Sequence, residues 1–265
     1  MSQQQKGILF GSILFVLFIF AVVMCNRDDD DESIDIINTE QNSSQVIDEN
    51  NEENDNNGND NKPSIVENIK ETNDFSSEQS HLDDWSNIEL QRANTAVRSN
   101  NLSKEEKLII LYTNLARMDG SKFCDLYVSP LSQKDPNNSY IKSLVTDLNS
   151  VKDLPMLYPN DILIKAAQYH SKDLSSCEDI GHDSSDGTPF HKRLMKFGYK
   201  KPCGENVAGG RHDALGVVLD LLIDEGIPDV GHRKNILNKN YNAIGVSRDT
   251  HPKYDYNFVM DFGQD

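Results

Sequence analysis

The chain has 265 residues, 37% of them hydrophobic, and a formal net charge of −17. The acidity is uneven: residues 26–100 hold 20 acidic and 5 basic side chains, whereas residues 101–265 hold 23 and 20. Nucleic-acid binding needs clustered Lys and Arg to contact phosphates. The sequence has no such cluster and no glycine-rich phosphate loop, which excludes a nucleic-acid partner.

An uncharged run opens the chain. Gly7–Cys25 is 19 residues long, and a membrane-spanning helix needs about 20. Lys6 precedes the run and acidic residues follow it, which predicts that the N-terminus stays in the cytoplasm. An uncleaved anchor in residues 1–25 fits the length best. The alternatives are a cleaved signal peptide, for which no A-x-A-like site is present, and a lipoprotein signal ending at Cys25. All three predict that the remaining chain is extracytoplasmic.

An acidic segment follows at residues 26–80. It is rich in Asn, Asp, Glu and Ser and nearly devoid of aromatic residues. Such a composition cannot bury enough apolar surface to offset the entropy of ordering. We therefore predict a disordered tether that is kept extended by like charges, and no residue spacing in it fits a calcium-binding loop.

The predicted folded domain covers residues 81–265, with its core from about residue 104. Ser103 and Glu106 are spaced as a capping box before apolar residues at helical intervals. Further helices are predicted near residues 120–131, 138–149, 159–174, 188–198 and 213–226. The last residues, 241–264, lack helical spacing and are predicted to form two strands around a turn near 249–253. This order predicts an α+β domain in which helices flank a small antiparallel sheet.

Three glycine-containing stretches carry candidate site residues: GHDSSDG (181–187), CGENVAGG (203–210) and LLIDEGIPDVGHRKNIL (221–237). Together they offer two histidines and two acids, namely His182, Glu205, Asp224 and His232. Such a set can bind a divalent cation such as zinc, through His182 and His232 with Glu205. Alternatively, a carboxylate can orient a histidine that moves a proton.

Five motifs occur along the chain in a fixed order: GHDSSDG, GENVAGG, GHRKNIL, IGV and FVMDFG. With these motifs the chain resembles the CAP superfamily, also called the SCP domain. This superfamily includes cysteine-rich secretory, antigen 5 and plant pathogenesis-related 1 proteins. Upstream, NLARMDGSKFCDLY is similar to the first helices of bacterial members. The resemblance covers residues 104–265 and implies a secreted α-β-α sandwich with a central cleft.

The resemblance also implies that the cleft is lined by a tetrad of two histidines and two acids. The matching residues here are His182, Glu205, Asp224 and His232. Glu225 is a rival to Asp224, because plant and animal members usually carry Glu there. The eukaryotic cysteine framework is missing, which indicates a bacterial-type member and gives no basis for transferring sterol binding.

The cysteines leave two arrangements open. Export permits disulfides, and Cys177 and Cys203 are the more plausible pair because they flank the segment that carries His182. The alternative is that Cys124, Cys177 and Cys203 are three separate thiols.

Other polar residues near these motifs are assigned structural roles. His170 lies on a predicted helix beside apolar residues and is predicted to pack there. Arg233 and Asn235 are predicted to fix local structure. Three histidines are predicted to lie at the surface: His191, His212 and His251. The tetrad itself fits either a functional cleft or a hydrogen-bonded network that holds strand and helix ends together.

Three functions fit these observations. The favoured one is a membrane-tethered, extracytoplasmic module that binds a small molecule, lipid or cell-envelope component in the tetrad cleft. The second is a hydrolase in which a metal ion or a histidine base activates water on envelope or peptide substrates. The sequence pairs no nucleophile with these histidines. Ser184 and Ser185 lie close to His182, but serine is common beside turns. The third is a structural or adhesive surface domain.

Overall fold

The computed structural model describes residues 81–210 and 212–265. The predicted anchor (1–25) and tether (26–80) lie outside the described residues. Across the described ranges, no helix combines the length and apolar character needed to span a bilayer. Residues 81–90 belong to one compact unit and residues 91–265 to another. Helix α1 (Asn87–Ala93) begins in the first, where Ser86 and Glu89 exchange capping hydrogen bonds of 2.7 and 3.3 Å.

The next helices follow the predicted pattern with one interruption. Helix α2 (Lys104–Met118) starts at the predicted capping box, in which Ser103 and Glu106 bond each other's backbone. The helix predicted near 120–131 is divided into α3 (Gly120–Phe123), a π-helical turn (Cys124–Val128) and α4 (Ser129–Lys134). Pro130 lies in the first turn of α4 and has no N–H to donate, so the regular α-helical ladder cannot run through this point.

Four of the remaining helices lie within a few residues of their predicted bounds, and a fifth, α9, follows them. They are α5 (Ser139–Ser150), α6 (Asp161–Leu174), α7 (Phe190–Lys196), α8 (Ala214–Ile223) and α9 (Gly231–Ile236). Asn138 and Asn160 cap α5 and α6 by accepting backbone N–H bonds. His232 lies in the first turn of α9.

The sheet has four strands: β1 (Tyr158–Pro159), β2 (Gly204–Gly209), β3 (Ala243–His251) and β4 (Asp255–Gly263), in the spatial order β1-β3-β4-β2. The predicted C-terminal hairpin is confirmed, with β3 and β4 paired antiparallel. Strand β2 pairs antiparallel with β4, but β1 pairs parallel with β3, so the sheet is mixed rather than purely antiparallel.

Two glycines show that helices cover both faces of the sheet. A Cβ on Gly245 of β3 would lie 2.1 Å from the Leu163 backbone of α6. A Cβ on Gly204 of β2 would lie 2.7 Å from the Asn235 side chain of α9. Gly245 aligns with Asp261 of β4, and Gly204 aligns with Phe262. Because Asp261 and Phe262 are consecutive strand residues, the two glycines face opposite sides of the sheet. The structure is therefore the α-β-α sandwich of the predicted α+β class.

The candidate disulfide between Cys177 and Cys203 is not formed. Cys203 is buried in an apolar cluster with Phe190 and Leu194 of α7. The Cys177 thiol, in the turn after α6, instead lies 3.5 Å from the carbonyl oxygen of Asp173. The two side chains thus belong to different local environments.

One surface assignment is wrong. His251 is only 3% exposed, because it ends β3 at the tight hairpin turn and its ring packs 4.9 Å from the Tyr254 ring. Its Nδ1 accepts the Lys253 N–H at 3.2 Å. His212 is exposed as predicted, and His191 is half-buried.

Candidate functional site

The first half of the site joins His182 to Glu205. Glu205 is fully buried on β2, and its Oε1 lies 2.8 Å from His182 Nδ1. Because a carboxylate only accepts hydrogen bonds, Nδ1 carries the proton and Nε2 presents a lone pair. Nε2 is buried and has no hydrogen-bond partner among the described residues.

Arg193 of α7 holds this pair in place. Its guanidinium pairs with Glu205 Oε2 and donates to the His182 carbonyl oxygen at 2.8 Å. Burial, and then the charge of Arg193, lower the pKa of His182 to about 4. His182 is therefore neutral at neutral pH. Burial raises the pKa of Glu205, and the charge of Arg193 opposes that change.

Asp261 is a member of this cluster that the sequence analysis did not single out. It is fully buried on β4, directly opposite Glu205 in the antiparallel register, so both carboxyl groups project from the same face of the sheet. Burial, and then the negative charge of Glu205, raise the pKa of Asp261 well above its usual range. The sequence signal for Asp261 is that it is the one acid within the apolar strand motif FVMDFG.

The second half of the site joins Asp224 to His232. Asp224 Oδ1 lies 2.7 Å from His232 Nδ1, and Oδ2 accepts the His232 backbone N–H at 2.9 Å. The structure thus distinguishes the rivals: Asp224 pairs with the histidine, whereas Glu225 is exposed and bonds Asn138 at 3.1 Å.

The loop that brings this pair together is strained at both ends. Asp224 ends α8 in the left-handed region at φ 58°, and Val230 precedes α9 at φ 47°. Left-handed backbone costs a residue with a Cβ about 1–2 kcal/mol. The side chain of Asp224 offsets part of that cost by bonding the first turn of α9.

Two asparagines connect the halves. Asn206 Nδ2 donates to the His232 carbonyl oxygen at 3.1 Å. Asn235 Nδ2 donates to Asn206 Oδ1 at 2.9 Å and to the Glu205 carbonyl oxygen at 3.2 Å. Since successive side chains of β2 alternate, Glu205 and Asn206 face opposite sides of this edge strand, so β2 contacts His182 through one face and the His232 backbone through the other.

The structural roles predicted for nearby residues are confirmed. His170 is fully buried, bonds the Gly181 carbonyl oxygen at 2.8 Å, and has a pKa lowered by burial to about 3. Arg233 is buried and bonds backbone carbonyl oxygens of α5 and α8. Arg117, which the sequence analysis missed, is fully buried and donates to carbonyl oxygens before β1 and after α9.

The predicted metal site stays a prediction. Across residues 81–210 and 212–265, no three His, Cys, Asp or Glu side chains are arranged to hold a metal ion. Each Nδ1 is instead bonded to a carboxylate. The arrangement is two carboxylate-oriented histidines, which can bind a ligand or move a proton. The sharing of one cleft by all four residues also stays a prediction.

Comparison with known proteins agrees with the motif resemblance. The model of the CAP family, described as the cysteine-rich secretory protein family, matches residues 112–262. A Bacillus subtilis (strain 168) protein, Uncharacterized protein YkwD, is 34% identical over 114 residues. That match spans 41% of this chain and 42% of the relative, so less than half of the relative's length is represented.

Two solved structures are also similar. An extracellular protein containing a SCP domain from Bacillus anthracis str. Ames is 20% identical, with a TM-score of 0.37 over 62% of this chain and 44% of that one. An outer surface protein from Borrelia burgdorferi is 25% identical, with a TM-score of 0.36 over 50% of this chain and 94% of that one.

Proposed function

Because the chain belongs to the CAP (cysteine-rich secretory protein) family, whose model matches more than half of it, we propose a binding function for the two His–acid pairs. The protein is an exported, membrane-tethered module that binds a small molecule, lipid or cell-envelope component at these residues. Export and tethering are supported by the uncharged run Gly7–Cys25 between Lys6 and the acidic segment.

One observation carries the binding proposal. His182 is held by Glu205 so that a neutral ring presents Nε2 as an acceptor, and that buried atom has no hydrogen-bond partner among the described residues. Buried polar atoms in native structures are nearly always bonded to protein or water. A ligand hydroxyl or amide N–H would supply the missing donor.

A thermal-shift and calorimetric screen of the full chain tests this proposal. The compounds are N-acetylglucosamine, a short peptide amide and monopalmitoylglycerol; each carries a hydroxyl or amide N–H, and together they represent the three ligand classes. We expect at least one to stabilise the wild type and to lose its effect in His182→Gln. His191→Gln is the matched control, because His191 is half-buried and outside the site. Binding that is unchanged by His182→Gln, or no binding by any class, contradicts the proposal.

Localisation is tested separately. Protease added to intact cells should digest the C-terminal domain, because residues 26–265 are placed outside the cytoplasm. Full protection of that domain would refute export. Cys25→Ala distinguishes the routes, since a lipoprotein would lose lipid labelling whereas an uncleaved anchor would remain in the membrane fraction.

A hydrolase is the second candidate, because a carboxylate bonded to histidine Nδ1 is the arrangement that orients a general base. The two serines that follow His182 do not support a nucleophilic route: Ser184 Oγ accepts from Arg193, and Ser185 Oγ bonds Asp173. Water is therefore the nucleophile in this reading. Turnover of an envelope or peptide substrate that is lost in both His182→Gln and His232→Gln would favour it over binding alone.

A further inference from the structure

A pocket lies between α6 and α7. Its volume is about 140 Å³, and it is lined by Tyr169, Ser184, Thr188, Arg193, Lys196 and Phe197. An apolar cavity of about 150 Å³ holds one benzene molecule, so this volume holds the atoms of one six-membered ring, and the substituents of a larger ligand extend past the exposed Tyr169 and Lys196. The lining includes two positively charged side chains and no carboxylate.

The polar groups of this pocket are left with protons to donate. Ser184 Oγ accepts from Arg193 at 3.3 Å and keeps its own O–H for a ligand, whereas Thr188 accepts from Lys196 at 3.0 Å and donates its O–H to the Asp186 carboxylate. Lys196 is exposed and has further N–H groups. The buried Nε–H of Arg193 has no partner among the described residues. A pocket of donors fits a ligand rich in acceptors.

The other wall is aromatic. The rings of Tyr169 and Phe197 lie 5.6 Å apart, and Tyr169 is 49% exposed although it lines the pocket. Aromatic faces offer large apolar contact area at low entropic cost. One wall therefore suits the flat apolar face of a ring, and the opposite wall suits a carboxylate and hydroxyl groups.

We infer that this pocket binds a monosaccharide that carries a carboxylate, as a uronic acid does. The ring lies against Tyr169, its carboxylate pairs with Lys196, and one of its hydroxyl oxygens accepts from Ser184. Charge-assisted hydrogen bonds give the carboxylate its advantage over a neutral sugar. Arg193 also pairs with Glu205, so the pocket adjoins one half of the site described above, but its occupant does not depend on the ligand proposed there.

Calorimetric titration of the full chain with sodium glucuronate tests the inference, with glucose and sodium acetate as comparison compounds. We expect glucuronate to bind and both others to bind at least about tenfold more weakly, since each lacks one of the two contacts. Equal affinity for glucose would overturn the role of the charge, and equal affinity for acetate would overturn the role of the ring. No glucuronate binding would overturn the whole inference.

Replacing exposed residues of the pocket tests whether glucuronate binds there. Lys196→Gln should weaken glucuronate binding about tenfold, whereas Lys192→Gln, on the same helix but outside the lining, should not. Tyr169→Ala should weaken it several-fold, whereas the equally exposed Tyr158→Ala should leave it unchanged. Unaltered affinity in both pocket variants would overturn the inference. His232→Gln should not affect glucuronate, which separates this result from failure of the binding function proposed above.

Discussion

The two His–acid pairs use the same residue types but depend on the protein in different ways. His182 and Glu205 come together only when β2, α7 and the loop after α6 are all in place, and their partners include the buried charge of Arg193. Asp224 and His232 are eight residues apart, and one short loop suffices to join them. The first pair is therefore a product of tertiary packing, whereas the second is local and also caps a helix. The free energy of unfolding should therefore fall by different amounts when Glu205 and when Asp224 is replaced.

The largest expected effect comes from removing Glu205. Glu205→Ala leaves Arg193 buried without its carboxylate, and breaking a buried ion pair in this way costs about 3–5 kcal/mol. Urea denaturation gives the free energy of unfolding. The exposed control Glu225→Ala should stay within about 0.5 kcal/mol of wild type. A loss below about 1 kcal/mol in Glu205→Ala would show that Arg193 finds water or another partner.

The pH dependence should also report the first pair. The pKa of His182 is about 4 in the folded state and about 6.5 when unfolded, so between these values the unfolded chain binds more protons. The contribution of His182 to the free energy of unfolding is thus fully present above pH 6.5. It is lost as the pH falls towards 4, and the loss reaches about 3 kcal/mol.

The difference between wild type and His182→Gln isolates this contribution, because His170, Glu205 and Asp261 titrate in both proteins. The free energy of unfolding should fall more steeply in the wild type from pH 6.5 to 4. His191→Gln should follow the wild-type curve. Parallel curves for wild type and His182→Gln would mean that folding does not depress the pKa of His182.

A smaller effect is expected at the second pair, where two replacements separate its roles. Asp224→Asn keeps a residue that tolerates left-handed backbone and should cost about 1 kcal/mol for the weakened hydrogen bonds. Asp224→Ala also loses that tolerance and should cost about 2 kcal/mol. Thermal melts measure both, with Asp229→Ala as the exposed control in the same loop. Equal costs would mean that the left-handed conformation contributes no strain.

The contrast between the pairs also explains what the sequence could predict. Periodicity and caps predicted most helices and the C-terminal hairpin, and ordered motifs selected both histidines and their acids. Strand β2 was missed, since GENVAG has no alternation of apolar and polar residues. Arg193 and Asp261 were missed because they reach Glu205 from a separate helix and from the neighbouring strand, and such contacts exist only once the chain is folded.

The smallest expected effect is the coupling between the pairs. They are joined through Asn206 and Asn235 by bonds to backbone carbonyl oxygens, not through a shared side chain of either pair. In a double-mutant cycle of His182→Ala and His232→Ala, the interaction energy should therefore be about 0.5 kcal/mol or less. Urea denaturation of the four proteins, with chelator present, measures it; a larger value would mean that the two rings share one network.

The same cycle with zinc tests the predicted metal site. If His182 and His232 hold one ion, zinc stabilises only the protein that keeps both histidines, and the interaction energy rises with zinc concentration. The rise should vanish as the pH falls, and at the latest below about pH 4, because ligand nitrogens must be deprotonated and the pKa of His182 is about 4. His170→Ala, which removes a buried histidine outside both pairs, should leave the zinc effect intact. An interaction energy that does not change with zinc would contradict a shared ion and leave two independent carboxylate-oriented histidines.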